Sequence, residues 1–144
     1  EEIGLLGTKP DENLREPMDW YKSAQGTGMT GMKVGKIQFT KANDGISVEE
    51  QEKDKNSILN HTKKLIKIRK ENIALTRGNI NFMEHENLLI FQREYKDKKT
   101  LVVINNTNKS ITYDVPLLYK KDEITGNDLE KTIIINAFSG LILI

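Results

Sequence analysis

The 144-residue sequence has no cysteine, which excludes disulfides and thiolate metal sites. With only two histidines, His61 and His85, a histidine-based metal centre has almost nothing to draw on. Neither sign of charge prevails. The 22 basic and 21 acidic residues leave a net charge of +1, so no polyanionic partner is implied and nucleic acid is not expected. The lysines of residues 63–70 fall at helical spacing between apolar positions and read as a solvated helix face. No apolar run approaches the ~20 residues of a membrane span, and no membrane partner is expected. The P-loop, the G-x-G-x-x-G fingerprint, the nucleophile elbow and H-E-x-x-H are all missing. The chain opens on Glu1 and Glu2 with neither an initiator Met nor a signal-peptide pattern, and we expect it to be a fragment. What remains is 37% hydrophobic and 30% charged, the balance of a folded chain forming one domain or two small pieces.

Two of the three prolines stand in residues 9–20 (KPDENLREPMDW), a polar stretch closed by the only tryptophan. Pro10 and Pro17 keep this stretch out of helices and central strands. It sets Asp11, Glu12, Arg15 and Glu16 beside Met18 and Trp20. Carboxylate acceptors, a planar donor fork and an aromatic face are the groups that grip a hydroxyl-rich ligand. The same residues also fit a plain surface loop in which Arg15 pairs with a neighbouring acid, and Trp20 next to Met18 fits a loop anchored in the core.

Residues 21–43 show no sustained period and read as a long irregular loop. Ser47 with Glu50 three residues on has the form of a capping box, and residues 54–57 offer a second helix start. In the main helix, Ile58, Leu59, Thr62, Leu65, Ile66, Arg69 and Ile73 follow the spacing of one buried stripe, with Gly78 just past its end. Such a stripe needs a sheet or barrel beside it. Left uncovered, Leu65 and Ile66 would favour self-association. From residue 79 the period changes. Residues 88–95 (LLIFQREY), 101–105 (LVVIN), 110–115, 132–135 and 141–144 read as short strands, with turns at 96–99, 105–108 and 126–127. Close-spaced strands without helices indicate an antiparallel sandwich or barrel. His85 reads as a hairpin-turn residue, His61 as a packing or surface residue, and Asp97 and Asp122 as turn residues.

Residues 1–4 (EEIG) followed by KPDENLREPMDW resemble the loop after the eighth barrel strand in the α-amylase family, glycoside hydrolase family 13. Residues 45–75 (GISVEEQEKDKNSILNHTKKLIKIRKENIAL) resemble the family's final barrel helix, and the remainder resembles its C-terminal β-domain. The likeness runs along essentially the whole chain, in the family's order. It implies an α+β fragment: residues 1–77 would be the last loop and helix of a (β/α)8 TIM barrel, and residues 78–144 an antiparallel β-sandwich. It also implies a parent enzyme cleaving α-1,4 bonds of starch or malto-oligosaccharides with retention, by two carboxylates about 5 Å apart. Together with a supporting aspartate, these two (an aspartate nucleophile and a glutamate acid) belong to the fourth, fifth and seventh barrel strands, before Glu1, so no catalytic residue is expected here and Glu1 and Glu2 mainly shape the site. Asp11 and Arg15 match a pair bordering the glucose subsites, and Trp20 is the residue placed to stack on a sugar. The family tends to carry a tryptophan near position 32, where this chain has Met32. No cofactor is expected in this stretch; calcium, frequent in the family, has its usual ligands upstream. An extracellular or cell-surface location is favoured for the parent, with the cytoplasm left open.

Two other readings stand beside this one. The first is a non-catalytic carbohydrate-binding or structural β-module, although Phe82, Phe91, Tyr95, Tyr113, Tyr119 and Phe138 form no evident exposed row. The second keeps the enzyme but changes its reaction to α-1,6 hydrolysis or glucosyl transfer.

Overall fold

A computed structural model of the chain describes residues 18–29 and 41–144. It divides into two compact units after Thr62.

In the first unit, helix α1 (Val48–Lys53) starts at Ser47 as expected, with the Glu50 carboxylate bonded to the Ser47 hydroxyl rather than to its amide. The Ser47 hydroxyl accepts from the Glu50 amide at 3.3 Å and donates to Glu50 Oε2 at 2.7 Å, and Ser47 is completely buried. Helix α2 (Ile58–Glu71) begins at the second start signal, where Ser57 Oγ accepts from the Asn60 amide at 3.1 Å. Two amide side chains tie the end of α1 to this start. Asn60 Nδ2 donates to the carbonyls of Gln51 and Asp54, and Gln51 Oε1 accepts from the Leu59 amide.

The expected buried stripe along α2 is corrected by the structure. Its only buried residue is Ile68, while Ile58 is 81% and Ile66 49% exposed. The described residues do not supply the neighbouring surface that this stripe would need. The helix also stops sooner than its periodicity predicts. Asn72 leaves the helical conformation, and its Oδ1 accepts from the Leu75 amide at 3.2 Å to cap a new short helix, α3 (Ile73–Arg77).

The second unit is built on a four-stranded antiparallel sheet in the order β1-β2-β3-β6 and a two-stranded sheet β4-β5. The strands are β1 (Asn79–Met83), β2 (Leu89–Tyr95), β3 (Lys98–Asn105), β4 (Ile111–Asp114), β5 (Thr132–Ile135) and β6 (Ser139–Leu143). Period-2 alternation sends Ile90, Leu101, Val103 and Leu143 to one face. There they join Leu88, Tyr113, Val115, Tyr119 and Ile135 in a single core between the sheets. Helix α3 packs against β2 and β3, with Ala74 and Leu75 buried. The hairpin between β2 and β3 is tighter than the four-residue turn expected. Tyr95 pairs with Lys98 across only Lys96 and Asp97, and Lys96 takes the positive φ (54°) that a two-residue turn demands.

Burial raises the Tyr113 phenol above the usual tyrosine value, and it does the same to Tyr119, whose hydroxyl donates to Gln92 Oε1 at 2.8 Å. Both phenols hold their proton more tightly folded than unfolded. Their contribution to stability is therefore complete below pH ~10 and is lost as pH climbs through the raised folded values. A spectrophotometric titration is expected to show a late tyrosinate stage that coincides with loss of near-UV circular dichroism. Tyr113→Phe and Tyr119→Phe should each diminish that stage; an unchanged titration curve in both would count against it.

Candidate functional site

Of the three binding residues expected from the sequence, Asp11 and Arg15 lie outside the described residues, as does Met32, and Trp20 lies within them. Trp20 enters the structure just ahead of α1 and is fixed through its backbone. The carbonyls of Asp19 and Trp20 accept from the amides of Val48 (2.8 Å) and Glu49 (3.0 Å), which are the first two amides of α1 and have no partner inside that helix. The Trp20 amide donates to Met29 Sδ at 3.3 Å. Two further bonds hold the chain that follows: the Lys22 amide donates to Glu49 Oε2 at 3.2 Å, and the Asn43 amide to the Lys22 carbonyl at 2.8 Å.

The side chain is not used as an anchor. Trp20 is 44% exposed, and Met18 and Tyr21 beside it are also exposed. A pinned backbone carrying a partly open indole is a suitable platform for stacking against an apolar or sugar face, because little backbone freedom remains to be lost on binding.

Acidic groups accompany the platform. Asp19, which the sequence reading passed over, is held above the usual carboxylate range first by burial and then by the charges of Asp44 and Glu50. Its Oδ1 is buried and lacks a hydrogen-bond partner among the described residues. Glu49 is shifted the other way, first by its hydrogen bond from Lys53 (2.9 Å) and then by the one from the Lys22 amide. The sequence signal for Asp19 was its place between Met18 and Trp20, but the charges of Asp44 and Glu50 that act on it come from more than twenty residues along the chain.

The other residues named from the sequence fall where local chemistry explains them. His61 is exposed. His85 Nδ1 accepts from the amides of Asn87 and Leu88 and closes the turn between β1 and β2. Asp122, 2% exposed, accepts from the amides of Ile124, Thr125 and Ile142 and from the Thr125 hydroxyl. Among the described residues no group of three histidine, aspartate or glutamate side chains is placed to hold a metal ion.

Comparison with known proteins places this geometry. The family model for the alpha-amylase catalytic domain matches residues 4–78, more than half of the chain, and that for the alpha-amylase C-terminal domain matches residues 78–137. The chain belongs to the alpha-amylase family. Alpha-amylase 3 of Dictyoglomus thermophilum is 34% identical over 126 residues, which are 86% of this chain and 25% of that protein. A 4-alpha-glucanotransferase of Thermotoga maritima is also 34% identical, over 109 residues covering 74% of this chain and 24% of its own length. The crystal structure of an alpha-amylase from H. orenii superposes with a TM-score of 0.71 at 25% identity, covering 95% of this chain and 29% of that one. The chain therefore spans about a quarter of the length of these relatives. Its architecture is the end of the family's (β/α)8 barrel followed by the antiparallel C-terminal β-domain.

Proposed function

We propose that this chain is the C-terminal part of a retaining glycoside hydrolase that cleaves α-1,4 bonds in starch or malto-oligosaccharides, and that the chain alone is inert. The observation that carries the proposal is the catalytic-domain match over residues 4–78, which takes in a tryptophan with an anchored backbone and an open ring. In this reading Trp20 stacks on a glucose ring, while Asp11 and Arg15 exchange hydrogen bonds with its hydroxyls at the rim of the barrel mouth. The two carboxylates that cleave the bond belong to the preceding part of the barrel, as do the ligands of any calcium ion. A secreted or cell-surface parent suits a polymeric substrate. A second reading, transfer rather than hydrolysis, is favoured by one observation: the glucanotransferase is as close in identity as the amylase.

Trp20 is the only tryptophan, so intrinsic fluorescence reports on this site alone. Titration with maltoheptaose is expected to give a saturable change in Trp20 emission, with no reducing ends released from starch. Arg15→Ala should weaken binding by about 10- to 150-fold, since a hydrogen bond from a charged group contributes ~1.5–3 kcal/mol. Emission indifferent to α-glucans of every length would remove Trp20 from the rim, and release of reducing sugar by the purified chain would show that it is not inert.

A further inference from the structure

The four-stranded sheet closes one of its edges and leaves the other open. Along β6 the segment 120–123 runs beside the strand as an irregular cover. The Lys120 amide donates to the Ile144 carbonyl (2.7 Å), the Glu123 amide to the Ile142 carbonyl (2.7 Å) and the Ile144 amide to the Lys121 carbonyl (2.9 Å). The outer edge of β1 has no such cover. The strand pairs with β2 through five consecutive residues, and among the described residues no other hydrogen bond reaches Asn79–Met83. Every second residue of β1 therefore turns its N–H and C=O outward from the sheet.

The strand also carries none of the devices that keep an open edge from pairing. Its sequence, NINFM, has no charge and no proline, and its register with β2 runs without a bulge. Ile80 and Phe82 share one face of the strand, and Phe82 is 68% exposed. The Phe91 ring across the ladder, its centroid 5.8 Å away, steadies the Phe82 ring. Charge is found only at the two ends. Arg77 precedes the strand and Glu84 and Glu86 follow it, all three exposed. Among the described residues their side chains enter no hydrogen bond or ion pair.

We propose that β1 is the pairing edge of a two-fold dimer, in which the β1 strands of two copies of this chain run antiparallel and join their sheets. The occupant is a second copy because the strand complements itself. With Asn81 opposite Asn81, Ile80 of each copy faces Phe82 of the other, an aromatic and β-branched pair made twice over. The same register brings Arg77 of each copy towards Glu84 and Glu86 of the other, again twice. A parallel arrangement would instead set Arg77 beside Arg77. The seam carries about four to six main-chain hydrogen bonds and is smaller than a standard interface, so Kd is on the order of 10–100 µM. This edge is distinct from the α2 stripe, whose exposed Ile66 is a rival place for copies to meet.

The test is sedimentation equilibrium of the 144-residue chain across the micromolar to millimolar range, which is expected to show a monomer–dimer equilibrium. Amide exchange at residues 79–83 should slow as the dimer forms. Phe82→Lys places a charge in the seam and should weaken the dimer by roughly tenfold or more, with far-UV circular dichroism unchanged because the ring is exposed. Arg77→Glu in one chain, and Glu84→Arg with Glu86→Arg in another, should each weaken self-association roughly five- to tenfold. An equimolar mixture of those two variants should restore the dimer, since each end then meets the opposite charge. Ile66→Glu should leave it in place. A chain that stays monomeric at millimolar concentration would overturn the pairing and leave the edge to another occupant, such as an extended segment of a different protein. A dimer lost with Ile66→Glu and indifferent to Phe82→Lys would overturn it in favour of the α2 face. Failure of the mixture to restore the dimer would overturn the antiparallel register.

Discussion

Asn105→Ala is expected to destabilise the β-domain by about 3–5 kcal/mol, the upper end of what a single substitution does. Asn105 is completely buried at the end of β3. Its Nδ2 donates to Lys109 O (2.8 Å), Asn136 O (2.9 Å) and Ile135 O (3.1 Å), and its Oδ1 accepts from the amide (3.0 Å) and hydroxyl (2.7 Å) of Thr107. One side chain therefore satisfies main-chain groups on the two connections that run between the two sheets. Removing it takes this partner from the Thr107 amide and the Ile135 carbonyl, while the carbonyls of Lys109 and Asn136 keep bonds from Thr107 Oγ1 and Ser139 Oγ, and an unmet buried polar group costs ~1–3 kcal/mol, less where water enters the vacated space. Urea unfolding followed by far-UV circular dichroism should show a lower midpoint with an unchanged slope. Asn105→Asp separates charge from shape. At neutral pH its carboxylate would face three carbonyl oxygens, so it should cost more than alanine. It should recover part of the loss as pH falls towards the ordinary carboxylate range of ~4, where a protonated carboxyl regains a donor. A loss below ~1 kcal/mol for Asn105→Ala would mean that the two connections hold their places without it.

The sequence reading marked Asn105 only as the end of a strand and the start of a turn, and the reason is physical. Its partners Ile135 and Asn136 lie thirty residues away, and no local pattern encodes a contact of that range. What is legible is what repeats locally. The strands around Leu101 and Val103 were visible because alternation with one face buried leaves a period of two. The start of α1 was visible because Ser47 and Glu50 form a box within one turn. Strand β1 was missed for the complementary reason: all five of its residues are exposed, so burial imposes no alternation to read. The break at Asn72 was hidden by apolar spacing that continues through Ile73. What favours the break is non-local: Asn72 Nδ2 donates to Thr100 Oγ1 and Glu123 Oε2. At the candidate site the sequence singled out Trp20 but left open whether it anchors or binds. In the structure its backbone does the anchoring, using the free amides of a helix that begins twenty-eight residues later, and the ring is left open.

Gly78→Ala is the second large effect, expected to cost about 2–4 kcal/mol and to lower the melting temperature of the β-domain by roughly 10–20 °C. Gly78 stood out in the sequence as a helix stop, which usually implies a left-handed conformation. Here φ is −70° and ψ 153°, values open to any residue, so conformational freedom does not explain the glycine. Space does. A Cβ on Gly78 would lie 2.5 Å from the Ala74 carbonyl oxygen and 2.9 Å from both the nitrogen and the carbonyl carbon of Glu94. All three are backbone atoms, so relief requires α3 and β2 to move apart where they are pinned. The Gly78 amide donates to Ala74 O at 2.9 Å, and its carbonyl accepts from Arg93 Nη2 at 2.8 Å. Moving them would strain both bonds and loosen Arg93, whose buried Nε already lacks a partner among the described residues. Against this stands the gain of ~0.4–1 kcal/mol from the stiffer unfolded chain, which is too small to offset a backbone collision. Gly126 supplies the control. Its φ of +80° makes alanine conformationally awkward, yet a Cβ there would meet nothing within 4 Å, so Gly126→Ala should cost only ~1 kcal/mol. If Gly78→Ala proves no more costly than Gly126→Ala, the close approach of α3 to β2 is not what demands a glycine at the point where the catalytic-domain and C-terminal-domain matches meet.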